Sequence, residues 1–252
     1  MDKLELTQPA PAAPLRWLAL GWRDFARCPK IGLFYGLCFF LMGQALWWVF
    51  QTAPEYMLAL SAGFLLLGPF LCLGLYDASR TLELGGDANG PSLRSTLTAW
   101  KVSKGPMAIF AGMLLIIELL WGRASLVVFA VTFNTRPSDQ KLLGDLLQLE
   151  NIGFLLSYSA VGAVFAGLIF VTSVISVPMI LDRQVDAVSA GLTSMRACAQ
   201  NPGVMLLWGA LITLLVLLAM LPWFLGLLVI APVLGHASWH AYRHLVPPQH
   251  AG

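Results

Sequence analysis

Charge is what this 252-residue chain has least of. Asp, Glu, Lys and Arg make up 11% of it, against about 25% in an ordinary soluble domain. That is too little polar surface for a water-exposed globule. A net charge of +2 leaves no basic face for a nucleic acid. The four cysteines, Cys28, Cys38, Cys72 and Cys198, are scattered, with no CxxC pair and no disulfide spacing. Cys38 and Cys72 fall inside apolar runs, where a thiol acts as a small hydrophobe. P-loop, dinucleotide glycine motif, nucleophile elbow and HExxH are all missing, so the chain reads as no enzyme. What it has instead is apolar residue, 58% of the chain, with a mean hydropathy of +0.76.

A helix needs about 20 apolar residues to cross a bilayer core of about 30 Å. Six stretches meet that requirement. They are Ile31–Phe50, Met57–Tyr76, Met107–Phe129, Phe154–Leu181, Val204–Leu221 and Trp223–Tyr242, the last two split at Pro222. Trp47 and Trp48 close the first as interfacial aromatics. Lys and Arg set the orientation: twelve fall on one side, and only Arg123, Arg136 and Lys141 on the other. The positive-inside rule then places both termini in the cytoplasm. Residues 1–14 are polar and Pro/Ala-rich, without the form of a cleavable signal, and are expected as a disordered tail. A single membrane domain is expected over 15–245, with a short tail at 246–252.

The chain repeats itself. Arg23-Asp-Phe-Ala-Arg-Cys-Pro through Tyr35-Gly36 aligns without gaps on Arg196-Ala-Cys-Ala-Gln-Asn-Pro through Trp208-Gly209. Gly68-Pro69 through Arg80 aligns on Ala231-Pro232 through Arg243. A middle copy is suggested by Leu93, Leu97 and Trp100 before Gly105-Pro106, by Gly112, and by Pro178. The expected architecture is all-α: three hairpins over about 15–82, 93–183 and 185–245, each preceded by a cytoplasmic amphipathic helix. In the first of these helices Leu15, Leu18, Trp22 and Phe25 form an apolar stripe, with Arg16, Arg23 and Arg27 elsewhere, the pattern of a helix lying on an anionic leaflet. Val188, Leu192 and Met195 repeat the stripe before Pro202. Another amphipathic helix, with leucines at 142, 143, 146 and 149, is expected over Ser138–Glu150 on the outer surface.

Candidate sites are few, and each has a plainer reading. His236 and His240 are four residues apart, on one helix face, and with Asp182 and Asp186 could ligate a metal. The same residues also describe an interfacial helix end rich in amphipathic rings. Asp77 and His240 occupy equivalent repeat positions, as do Arg80 and Arg243, so an Asp/His pair at the cytoplasmic mouth is one reading. The other makes Trp22, Arg23, Arg27, Arg80, Trp239 and Arg243 headgroup anchors. Glu118 is the one acid deep in a span. With Arg123, Ser173 and Ser176 it could form a polar pathway or a buried pair.

Ser176-Val-Pro-Met-Ile-Leu-Asp-Arg-Gln-Val-Asp186, Asn201-Pro202, Leu234-Gly-His-Ala-Ser-Trp-His-Ala-Tyr-Arg243 and Gly68 to Tyr76 with Ser79-Arg80 carry a family resemblance. They resemble an uncharacterised family of bacterial integral membrane proteins, a domain of unknown function, over about residues 16–245. Some members carry a cytochrome c oxidase label. The resemblance implies an inner-membrane accessory or assembly factor with membrane lipids and respiratory-complex subunits as partners. A small-molecule or ion permease, and metal or haem handling through the His pair, stand as alternatives. The chain lacks the transmembrane histidines of a haem-copper catalytic subunit.

Overall fold

Apolar runs of membrane-crossing length become helices, and prolines and caps divide them. The computed structural model describes residues 6–52, 57–85, 90–132 and 152–247. Among these there is no strand. In chain order the helices are α1 (Ala13–Arg27), α2 (Pro29–Thr52), α3 (Met57–Glu83) and α4 (Leu93–Thr98) with a 3-10 turn over Ala99–Ser103. There follow α5 (Lys104–Thr132), α6 (Ile152–Ser173), α7 (Ser176–Arg183), α8 (Ala187–Gln200), α9 (Pro202–Met220) and α10 (Leu227–Leu245). Four stretches are long and apolar enough to cross a membrane: Pro29–Thr52, Leu93–Val128, Ile152–Arg183 and Pro202–Met220. The remaining long helices, α3 and α10, carry charged or histidine side chains in their last turns. The helix expected over Ser138–Glu150 lies outside the described residues.

Two joints have matching backbone geometry. Cys28, between α1 and α2, has φ −130°, ψ 58°, and its N–H donates to the Asp24 carbonyl. Asn201, between α8 and α9, has φ −130°, ψ 51°, and its N–H donates to the Ala197 carbonyl. Proline follows each joint in the first helical turn, where its missing N–H leaves no donor unmet. The helices before the joints also bury corresponding positions: Trp17, Gly21, Asp24 and Phe25 in α1, and Ala190, Ser194, Ala197 and Cys198 in α8. Pro222 ends α9 as expected, but the turn runs on through Trp223 and Phe224, both at positive φ, so α10 starts at Leu227 rather than Trp223.

Of the stripe expected to face lipid on α1, Phe25 is instead buried within the protein, while the other ends of both stripes stay open. Leu15 and Trp22 are 59% and 55% exposed, and Val188, Leu192 and Met195 are exposed as well. The buried face of α1 lies on α10, and at Gly21 the approach is backbone to backbone. A Cβ there would sit 2.6 Å from the Val233 carbonyl oxygen. The helix is therefore a packed element that keeps a second apolar edge free. The chain is also pinned earlier than composition suggests: Leu6 packs on the core and the Thr7 N–H donates to the Leu245 carbonyl.

α1 lies on α10, α4 on α3, and α8 on α6 and α7. The ends of α3, α7 and α10 pack on one another, and the polar residues gather there. At the opposite end Trp47 meets Trp223 edge-on at 5.9 Å, and Gln44 Nε2 donates to the Trp223 carbonyl at 2.7 Å.

Candidate functional site

The polar end holds two linked clusters. In the inner one α1 supplies Asp24, α3 supplies Ser79, and α10 supplies His236 and His240 one turn apart. Ser79 Oγ donates to Asp24 Oδ2 at 2.7 Å and stands 2.7 Å from His236 Nδ1. His240 Nε2 reaches the same Asp24 Oδ2 at 2.7 Å. Ser79 has one hydroxyl proton and the carboxylate takes it, so the serine oxygen accepts from His236 Nδ1–H. His236 Nε2 is buried without an aligned hydrogen-bond partner. Burial alone would raise the Asp24 carboxyl, but the bonds from His240 and Ser79 and the nearby imidazoles hold it below its ordinary 3.8.

The outer cluster centres on Asp182 at the end of α7. Arg80 Nε from α3 lies 3.2 Å from Asp182 Oδ1, an ion pair without hydrogen-bond alignment. From α10, Tyr242 OH donates to Asp182 Oδ2 at 2.8 Å, and Arg243 Nη1 stands 3.4 Å from it. Arg243 also pairs with Glu83 at 2.9 Å, and Trp239 Nε1 donates to Glu83 Oε2 at 2.8 Å. Arg183 Nε donates to Tyr242 OH, and its Nη2 donates to the carbonyls of Val246 and Pro247. The last turns of three helices are thus tied to one aspartate. Arg80 and Arg243 are the two arginines that face it.

Several expectations change. Asp182 and Asp186 do not converge with the histidines: Asp182 holds the arginines, and Asp186 caps α8 by accepting from Ser189 N–H at 2.8 Å. The Ser189 hydroxyl first, then the backbone N–H groups of Ser189 and Val188, draw the Asp186 carboxyl below 3.8. Among the described residues no three His, Cys, Asp or Glu side chains are grouped as a metal would need. His240 takes Asp24, not Asp77, as its carboxylate. Trp239 is 1% exposed, and with Arg80 and Arg243 it belongs to the internal network rather than to a headgroup belt. Trp22, Arg23 and Arg27 do lie exposed on α1.

Glu118 is buried in α5 and, among the described residues, neither carboxyl oxygen has a partner. Arg123 is exposed and makes no pair with it. Ser173 Oγ donates to its own helix at the Ile169 carbonyl, 2.6 Å away, and Ser176 Oγ to the Thr172 carbonyl. These hydroxyls are used locally, and among the described residues no hydrogen bond or ion pair links Glu118 to Arg123, Ser173 or Ser176.

Asp24, Ser79, Glu83, Tyr242 and Arg183 were not singled out from sequence. Asp24 had one signal: it is an acid where the other copy has Ala197.

No curated protein and no solved structure matches the chain. A family model described as "Predicted integral membrane protein (DUF2189)" matches residues 56–182, from the start of α3 to the aspartate at the centre of the outer cluster. Asp24, His236, His240 and Arg243 lie beyond that segment. The match covers half of the chain, which therefore belongs to this family of integral membrane proteins of unknown function.

Proposed function

We propose that the protein is a non-catalytic accessory or assembly factor of a bacterial inner-membrane complex, with six spans and both termini in the cytoplasm. One observation carries the reading: at the polar end the buried carboxylate of Asp24 and the half-buried carboxylate of Asp182 are taken up by partners within the chain. Charges committed in this way build a scaffold and leave no group poised for turnover. The order of groups agrees, since a hydrolytic triad places imidazole between serine and carboxylate, whereas here a fully buried serine stands between them.

The fold is an internal repeat of three units, each a surface helix followed by two spans. Support comes from the matched joints at Cys28 and Asn201, the shared burial register of α1 and α8, and the paired arginines on Asp182. The contacts of α1 with α10, α4 with α3 and α8 with α6 and α7 support this reading, each surface helix resting on the span that would precede it in a pseudo-threefold ring. The lysines and arginines gather at the polar end, which the positive-inside rule assigns to the cytoplasm.

The resemblance to oxidase-labelled sequences makes respiratory-complex subunits the partners to test. Purified in mild detergent, the tagged protein is expected to bring such subunits with it and to migrate as a larger species. A protein that always runs alone contradicts the assembly role. The competing permease reading has one favouring observation, the unpartnered Glu118. It requires a proteoliposome flux that Glu118→Gln abolishes. Metal or haem handling has less support, because His236 and His240 already have protein partners; a featureless visible spectrum and a metal-free assay of the purified protein remove it.

A further inference from the structure

The groove between α3 and α5 sets apart one position in the ring. Where α2 meets α10, the helices touch backbone to backbone at Gly36, and a Cβ there would overlap the Leu228 carbonyl. The corresponding glycine of α5, Gly112, has nothing within 4 Å. Along α5 and α3 a cavity of about 520 Å³ opens instead, within the ordinary size of a ligand pocket. Its walls are apolar: Leu67, Phe70 and Leu71 from α3, with Met107, Ala108 and Ala111 from α5. Lys104, Met107, Ala108 and Ala111 follow one helix face, so the groove runs about 10 Å along α5 at 1.5 Å per residue.

The mouth of the groove is cationic and aromatic. Lys104 and Trp100 line it, and Lys104 Nζ and Lys101 Nζ stand 5.5 Å and 5.9 Å from the centre of the exposed Trp100 ring. Neither lysine pairs with a carboxylate among the described residues. Exposed Arg94 lies on α4, which leads into this turn. Unpaired cations beside an indole at the head of an apolar slot complement one chemistry, a phosphate diester joined to an acyl chain.

We propose that this groove is a binding site for one anionic glycerophospholipid, with its phosphate at Lys101 and Lys104 and one acyl chain between α3 and α5. The site needs membrane embedding, which the family shows, and does not depend on the assembly role.

The test uses the full chain in nanodiscs of equal phosphatidylglycerol and phosphatidylcholine, extracted into mild detergent, with retained lipid read by native mass spectrometry. The wild-type protein retains phosphatidylglycerol over phosphatidylcholine by at least about tenfold, since two lysines at a surface each contribute several-fold. The double variant Lys101→Gln/Lys104→Gln, at exposed positions, loses that preference and keeps its circular dichroism. Lys30→Gln, an exposed control outside the groove, leaves it intact. Ala108→Leu/Ala111→Leu fills the slot and lowers retention of both lipids. Equal retention of the two lipids by the wild type overturns the proposal. So does an equal loss in Lys30→Gln, which indicates diffuse attraction. Displacement of the lipid by millimolar inorganic phosphate also overturns it, since the site then reads phosphate without the chain.

Discussion

Two aspartates four residues apart do different work, and substitution separates them. Asp186 caps α8 by accepting from the Ser189 backbone N–H, a role asparagine fills as well. Asp186→Asn is expected to leave stability within about 0.5 kcal/mol, and Asp186→Ala to cost about 1 kcal/mol. Asp182→Asn removes the anion that faces Arg80 and Arg243 in a mostly buried setting. Its cost is expected at about 2–4 kcal/mol, read from chemical unfolding in detergent micelles. Asp24 adds a pH signature. Its folded carboxyl titrates below its ordinary 3.8, so its stabilisation is fully present above about pH 4 and is lost as pH falls through the folded value. The stability gap between wild type and Asp24→Asn should therefore be constant near neutrality and shrink below pH 4; a gap that widens on acidification contradicts the assignment. Glu118 differs again, as an unpartnered buried acid. Glu118→Leu is expected to raise the melting temperature, because removing an unsatisfied polar group from a packed interior relieves its cost.

Helix boundaries were legible where a local rule sets them. Pro29, Pro202 and Pro222 each mark a boundary that the structure shows, because proline acts on its own backbone and that of the preceding residue. Which face of α1 is buried was not legible. The helix carries Leu15 and Trp22 on one edge and Trp17 and Phe25 on another, and only the arrival of α10 decides between them. The site was hidden for the same reason: His240 and Asp24 are 216 residues apart in sequence, and no spacing rule connects them. Glycines test the element packing. Gly21→Ala is expected to cost about 1–3 kcal/mol by forcing α1 off Val233 and Ala237. Gly112→Ala meets open space and is expected to stabilise α5 by about 0.5–1 kcal/mol through backbone entropy. Equal effects of the two substitutions contradict the difference between the α2–α10 and α3–α5 interfaces.

At the scale of the molecule, the apolar helices face outward while Asp24, Asp182 and the side chains paired with them turn inward at one end. Leu206, Val164 and Leu156 are widely exposed on helices of membrane-crossing length, as suits a lipid solvent. Without water around the bundle there is little hydrophobic force holding one helix to the next. Close glycine contacts and the polar end supply that cohesion, and Asp182 is where α3, α7 and α10 are joined. The most direct test of this closure is a double-mutant cycle on Arg80→Gln and Asp182→Asn, read as unfolding free energy in one detergent. The account predicts that Arg80→Gln destabilises the wild type by about 1 kcal/mol or more and has almost no effect in the Asp182→Asn background. Strict additivity of the two substitutions would contradict it.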